Sequence, residues 1–287
     1  MAGLKRTLIS ASRTIRELRC KLGSRFSCQS GINTGCRDVP IVVSLATIPE
    51  RLGKAPMAVE SLLRQTLKPD RLILWLPRNL MNRELPFALQ NQTRRGLEIR
   101  FVEEIGPYMK MIYALKEHAG SLIVTADDDM IYPRCWLEQL VSAYKCEPHC
   151  VHCHRAHRMI LDQDGRLLPY AKWGSGAPGD IGPSFLLFPT GVGGVLYPPG
   201  VLHTEVFNAA VFREICPTAD DVWFKAMSLL NHVRCRKASP FYRELPPVRG
   251  TQARALWHEN VKDCRNDVQI KAVFERYNLY LLLAGAR

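Results

Sequence analysis

Between Ile41 and Lys145 the chain repeats one pattern, a short apolar run followed by an amphipathic stretch. The runs are Ile41–Ala46, Arg71–Leu76 (RLILWL), Leu97–Val102 and Ser121–Ala126. Apolar runs of this length without strict alternation read as strands buried on both faces. The stretch 55–67 sets Val59, Leu62, Leu63 and Thr66 on one helical face, and 109–118 reads as a further helix. The stretch 134–145 brings Trp136, Leu137, Leu140, Val141 and Tyr144 to the spacing of a buried stripe. Strand and helix in alternation imply a parallel sheet with right-handed crossovers. The expected fold class is therefore α/β, a mostly parallel central sheet flanked by helices. After Asp162 the texture becomes mixed, with DQDG, WGSG and APGD as loop material and 266–283 as a last amphipathic helix.

The run Ser121–Ala126 ends in Asp127, Asp128 and Asp129, and Pro133 then opens the next helix. In open α/β sheets, ligands bind in the crevice outside the carboxyl ends of the strands. Carboxylates crowded there repel one another unless a cation neutralises them. The residues point to a divalent metal holding an anionic substrate. The competing reading is a solvated turn with a helix cap.

Further on, Gly191, Gly193 and Gly194 permit close backbone approach or positive φ, whether at a ligand junction or in a tight turn. Asp220 and Asp221 open an apolar helix, where an N-cap role competes with a catalytic one. The segment CEPHCVHCHRAH (146–157) has the composition of a zinc site, but no second Cys-x2-Cys pair accompanies it at finger-like spacing. A strand over 151–156 would split its ligands between two faces. No G-x-G-x-x-G joins a first strand to a helix, which disfavours dinucleotide binding.

The charge is uneven. Of 39 basic and 27 acidic residues behind the net +12, eight basic residues and one acid (Glu17) lie in 1–37, so 38–287 carries only +5. Leu4, Leu8, Ile15, Leu18 and Leu22 fall at helical spacing among arginines, a basic amphipathic helix able to lie on an anionic membrane. Residues 23–38 read as a linker. No apolar run is long enough to span a bilayer. The start of the chain lacks the apolar core of a secretory signal. Ten cysteines without that signal suggest free thiols and a cytoplasmic setting, at most peripheral at the inner face of a membrane.

Six segments, IVVSLATIPER (41–51), LLRQTLKPDRLILWL (62–76), IVTADDDMIYP (123–133), CHRAHRM (153–159), GVGGVLYPPG (191–200) and ADDVWFKAM (219–227), carry a resemblance. From about Val39 to Tyr277 the chain resembles GT-A-type (Rossmann-like) glycosyltransferases, in particular bacterial enzymes of surface-polysaccharide assembly. The resemblance implies one domain over 38–287, with a nucleotide-binding half (38–160) and an acceptor and catalytic half (161–287). It leaves 1–37 outside as a basic arm and linker.

By the resemblance, Asp127–Asp129 matches the family's D-x-D motif. Asp129 then ligates Mn²⁺ or Mg²⁺, Asp127 meets the ribose or the metal shell, and Asp128 is the dispensable middle position. Thr47, Pro49 and Arg51 line the nucleotide pocket, Lys110 reaches a phosphate or the base, and Gly191, Gly193 and Gly194 form an acceptor-side loop. Asp221, with Asp220 as alternate, is the base, and His258 is a further metal ligand. The activity implied is metal-dependent transfer of a sugar from a nucleotide-sugar donor to a hydroxyl of a glycan, in an inverting reaction, with the acceptor lipid-linked. The rival readings are a metal-dependent phosphatase or nucleotidyltransferase and a zinc-containing nucleic-acid-binding module.

Overall fold

The computed structural model describes residues 2–242, 244–251 and 265–284, with the backbone alone for 2–13 and 284. In chain order its first half comprises α1 (Ala2–Phe26), β1 (Ile41–Ala46), α2 (Ala55–Leu63), β2 (Arg71–Pro77), α3 (Phe87–Thr93), β3 (Leu97–Val102), α4 (Met109–Glu117), β4 (Leu122–Asp127) and α5 (Trp136–Cys146). The second half comprises β5 (Val151–Cys153), β6 (Ala156–Arg158), β7 (Leu187–Pro189), β8 (Val195–Tyr197), α6 (Ala209–Ile215), α7 (Asp220–Leu230), β9 (Cys235–Lys237), α8 (Arg265–Arg276) and α9 (Leu279–Ala284).

Seven strands form one sheet in the order β3-β2-β1-β4-β8-β5-β9, a mixed α/β architecture with the first four strands parallel. Successive residues of each central strand enter opposite cores. Ile41, Val43 and Leu45 pack with Leu72, Leu74, Val124 and the apolar residues of α2 and α5. Val42, Ile73 and Ile123 pack with residues of α4, α7 and α8. Because both faces are covered, these runs are apolar throughout rather than alternating.

The later strands are mixed, as expected for the C-terminal half. β8 enters antiparallel between β4 and β5, and β5 pairs parallel with β9. The strand expected over 151–156 stops at Cys153; β6 turns away to pair with β7 as a separate two-stranded ribbon. The last helix is two, with Asn278 in the left-handed region (φ 52°) just before α9. Since β8 and β9 complete the sheet begun by β1–β4, residues 38–160 and 161–287 share one sheet.

The reading of 23–38 as a linker is corrected. The Gly31 N–H donates to the Arg95 carbonyl (2.8 Å) and the Asn33 N–H to the Pro69 carbonyl (2.7 Å). Arg37 pairs with Asp70 at 2.9 Å. α1 itself lies on α2 and α3. Its Gly23 passes where any side chain would collide with the Glu60 carboxylate, and its Gly23 carbonyl accepts from Arg95 (3.3 Å). Arg95 and Glu60 are a fully buried ion pair. Removing one partner of such a pair strands a charge, so α1 covers a feature the body cannot expose. Among the described residues, no helix is long and apolar enough to cross a membrane.

Candidate functional site

β1 and β4 run side by side with Ala46 opposite Asp127, so both strands end at the same level. After β1 the chain turns at Thr47 and Ile48 into a single helical turn opened by Pro49, which presents Arg51. The Thr47 hydroxyl donates to Asp128 Oδ2, and Arg51 Nη1 lies 3.0 Å from Asp128 Oδ1 and 3.1 Å from Asp129 Oδ2. Asp128 is thus a buried pin between two strand ends. From below, the Val248 N–H donates to the Asp129 carbonyl (2.7 Å) and the Ile131 N–H to the Pro246 carbonyl (3.1 Å).

Lys110 in α4 spans the cleft floor. Its Nζ is 2.8 Å from Asp127 Oδ1 and 3.3 Å from Asp220 Oδ2. Burial works against its charge, but Asp127, Asp220 and Asp221 outweigh burial and hold its pKa well above the usual range. Lys110 therefore ties the acidic strand end to the start of α7.

Asp220 and Asp221 make no side-chain cap for α7. That work falls to Gln269 of α8, whose Oε1 accepts from the Thr218 and Ala219 N–H groups at 3.0 and 3.1 Å. The Asp221 carboxylate is left to accept from the Gly191 N–H, at 2.9 Å to Oδ2 and 3.1 Å to Oδ1. Burial, then the neighbouring Asp220, raises its pKa to about 7. Asp129 likewise rises to about 7 through burial and the charges of Asp127 and Asp128.

The glycine loop sets this distance. Gly194 has φ 90° and lies against the Trp136 ring, whose Nε1 donates to the Gly193 carbonyl at 2.8 Å. A β-carbon on Gly191 would stand 3.0 Å from Asp221 Oδ1 and 3.3 Å from Lys110 Nζ. Gly191 thus borders the site, whereas Gly193 and Gly194 anchor the loop to α5.

These groups open onto one cleft of about 1070 Å³ lined by Thr47, Arg51, Lys110, Asp127, Asp128, Asp129, Gly191, Asp220 and Asp221. Of the expected site residues among those described, Pro49, Gly193 and Gly194 lie outside its lining, and His258 lies outside the described residues. The far wall adds Arg155, His157, Tyr170, Trp173 and Tyr242. Arg155 donates to Thr190 Oγ1 (3.0 Å) and stacks over Tyr242 with its guanidinium 6.0 Å from the ring centre. Arg155 and His157 sit in the quoted CHRAHRM segment and were open to detection there. Tyr170 and Trp173 come from a Gly- and Pro-rich stretch with no periodicity to flag them.

Arg51 and Lys110 offset part of the charge of the carboxylates and leave acid in excess. Among the described residues, no group of three or more His, Cys, Asp or Glu converges on one point to form a preformed cage. A hard divalent cation held by one or two carboxylates, with its remaining ligands from phosphate and water, fits Asp127 and Asp129. The Cys/His segment is used structurally. His152 Nε2 bonds the Glu147 carbonyl and His154 Nε2 the Trp136 carbonyl, each at 2.9 Å. His157 Nδ1 accepts from the Gly176 N–H (3.1 Å).

No family model and no curated protein matches the chain. Among solved structures, the chain is similar to S. aureus TarS 1–349 (15% identity, TM-score 0.45, covering 71% of this chain and 59% of that one). The same TarS fragment in complex with UDP gives 16% identity and a TM-score of 0.47 over 71% and 59% of the two chains. CMP:2-keto-3-deoxy-manno-octonic acid synthetase complexed with CTP gives 12% identity and a TM-score of 0.44 over 82% of this chain and 99% of that one. The chain thus spans 59% of the TarS fragment's length. These likenesses are of chain path alone.

Proposed function

We propose that the protein transfers a glycosyl group from a nucleotide-sugar donor to a hydroxyl of a glycan acceptor, lipid-linked and belonging to a surface polysaccharide. The observation that carries this reading is Asp221, a half-buried carboxylate on the cleft wall with its pKa raised to about 7 by desolvation and by Asp220. A base is most effective when its pKa lies near the operating pH and its carboxylate is aimed by fixed partners. The Gly191 N–H, 2.9 Å from Oδ2, is that partner.

In this reading the donor diphosphate lies over Asp127–Asp129, at the C-terminal ends of β1 and β4. Asp127 and Asp129 would hold a divalent cation, Mn²⁺ or Mg²⁺, whose contribution is to offset charge on the departing diphosphate. Arg51 and Lys110 hold those carboxylates at the strand ends. Asp221 takes the proton of the acceptor hydroxyl as its oxygen bonds the anomeric carbon and the carbon–oxygen bond to the diphosphate breaks. The products are the glycosylated acceptor, with inverted configuration, and a nucleoside diphosphate. The aromatic far wall, Tyr170, Trp173 and Tyr242, offers flat apolar faces suited to a sugar ring.

A thermal-shift screen of nucleotide sugars with and without Mn²⁺ tests the donor side, since a ligand that binds the native state alone raises its stability. A shift from nucleoside-diphosphate sugars, larger with Mn²⁺, is expected. Release of inorganic phosphate or pyrophosphate on turnover, in place of a nucleoside diphosphate and a glycosylated product, contradicts transfer.

A further inference from the structure

α1 carries an apolar stripe that the other described residues do not cover. Ile15, Leu18, Leu22 and Phe26 are 51, 55, 50 and 73% exposed. At 100° per residue these four fall within an arc of about 80° on one side of the helix. Exposed cations flank both edges, with Arg19 on one side and Lys21 and Arg25 on the other. The opposite face is buried. Cys20 packs with Ile131 and Val248, and Ser24 is also buried. Glu17, the helix's lone acid, is 12% exposed in its side chain and paired with Arg249 at 2.9 Å. The outward face therefore presents aliphatic and aromatic side chains with basic flanks and no carboxylate.

A helix held this way cannot turn its stripe inward without dismantling its own contacts. Singly exposed apolar residues need no explanation, but four in register on one helix do. An apolar face bordered by cations is the geometry that lies in a bilayer interface, apolar side chains among the acyl chains and cations at anionic headgroups. The charge pattern selects the occupant, since each Lys or Arg near an anionic leaflet adds attraction that a neutral surface does not supply.

We infer that α1 docks the protein on an anionic membrane surface through Ile15, Leu18, Leu22 and Phe26, with Arg19, Lys21 and Arg25 meeting the headgroups. The consequence reaches the cleft. Cys20 touches Ile131, two residues beyond Asp129, and Val248 of the same small cluster bonds the Asp129 carbonyl. The docked helix is thus two contacts from the acidic strand end. The inference does not depend on what the cleft does.

The test is vesicle co-sedimentation of the full chain with phosphatidylcholine alone and with about one-third phosphatidylglycerol, at low and high salt. Two variants alter side chains that face solvent: Leu18→Glu/Leu22→Glu/Phe26→Glu removes the stripe, and Arg19→Glu/Lys21→Glu/Arg25→Glu reverses the flanks. Circular dichroism and unchanged thermal midpoints establish that they fold. The wild type should bind the anionic vesicles at least ~10-fold more tightly than the neutral ones, weakening with salt, and each variant should lose at least ~10-fold. Equal binding to both vesicle types, or undiminished binding by both folded variants, overturns the inference. So does a wild-type dimer by light scattering that the stripe variant converts to monomer, with vesicle binding absent throughout.

Discussion

The ammonium of Lys110 stands 3.3 Å from Oδ2 of Asp220 and, on its other side, 2.8 Å from Oδ1 of Asp127. One buried cation thereby joins two acidic segments that lie almost a hundred residues apart in sequence. It fixes the distance between the end of β4 and the start of α7. It also holds down the proton affinity of Asp221, for which Lys110 is the principal opposing charge.

Lys110→Met is expected to leave Asp127, Asp220 and Asp221 without that charge. Breaking a buried pair by removing one partner costs about 3–5 kcal/mol. The loss should be greatest near pH 8 and smaller near pH 5, where the carboxylates can protonate. With Lys110 gone the Asp221 pKa rises further, so the acid limb of the pH–rate profile moves to higher pH. Denaturant unfolding at the two pH values and a pH–rate profile check both expectations.

The pH dependence of stability follows from Asp129 and Asp221. Each has a folded pKa of about 7 against an ordinary value of 3.8, burial being the main cause. Between these limits the folded state binds more protons than the unfolded state, so stability falls as pH rises from about 4 to about 7. The slope is at most about 1.4 kcal/mol per pH unit for each group. Asp221→Asn should flatten that decline and raise the thermal midpoint at pH 8 relative to wild type. A variant with the wild-type slope would refute the raised pKa.

Asp128 holds Thr47 and Arg51 together. Asp128→Ala strands the hydroxyl and part of the guanidinium, at a cost of about 1–3 kcal/mol. Thr47→Val should cost less, since Arg51 keeps Asp128 satisfied. Urea unfolding of the two variants gives the order, and a stability-neutral Asp128→Ala would contradict it.

Two glycines of one loop should fail in different ways. Gly194→Ala meets the Trp136 ring at a positive φ, and the outcome is a folding defect visible in thermal unfolding. Gly191→Ala crowds Asp221 Oδ1 and Lys110 Nζ, each at 3.0–3.3 Å from the new methyl. Here the expectation is a small stability change with kcat reduced about 100-fold, the scale of displacing a positioned catalytic group.

The sequence periodicities placed β1 and β3 at their observed limits and β2 and β4 within one residue. β1, β2 and β4 are buried on both sheet faces and so almost wholly apolar, β3 is a half-exposed edge strand that alternates, and the short helix α3 carried no signal that marked it. The chemistry of the triplet was only half legible. The crowding of Asp127–Asp129 was plain, but its partial offset by Arg51 and Lys110 is a tertiary fact; Arg51 lies 77 residues from Asp128 in sequence. The reading of 23–38 as a linker failed for the same reason. Gly23 and Gly31 look like flexibility in isolation, whereas in the fold they permit close passage over Glu60 and Leu63. The antiparallel entry of β8 had no local signal, since three residues of strand fix no direction.

The proposed role of Asp221 as the base of a glycosyl transfer is measured by comparing wild type with Asp221→Asn, using the nucleotide sugar that stabilises the protein most. Donor affinity should be retained within about threefold while single-turnover release of nucleoside diphosphate to acceptor falls by about 10²–10⁴, the range a general base supplies. Transfer by Asp221→Asn at the wild-type rate would contradict the account.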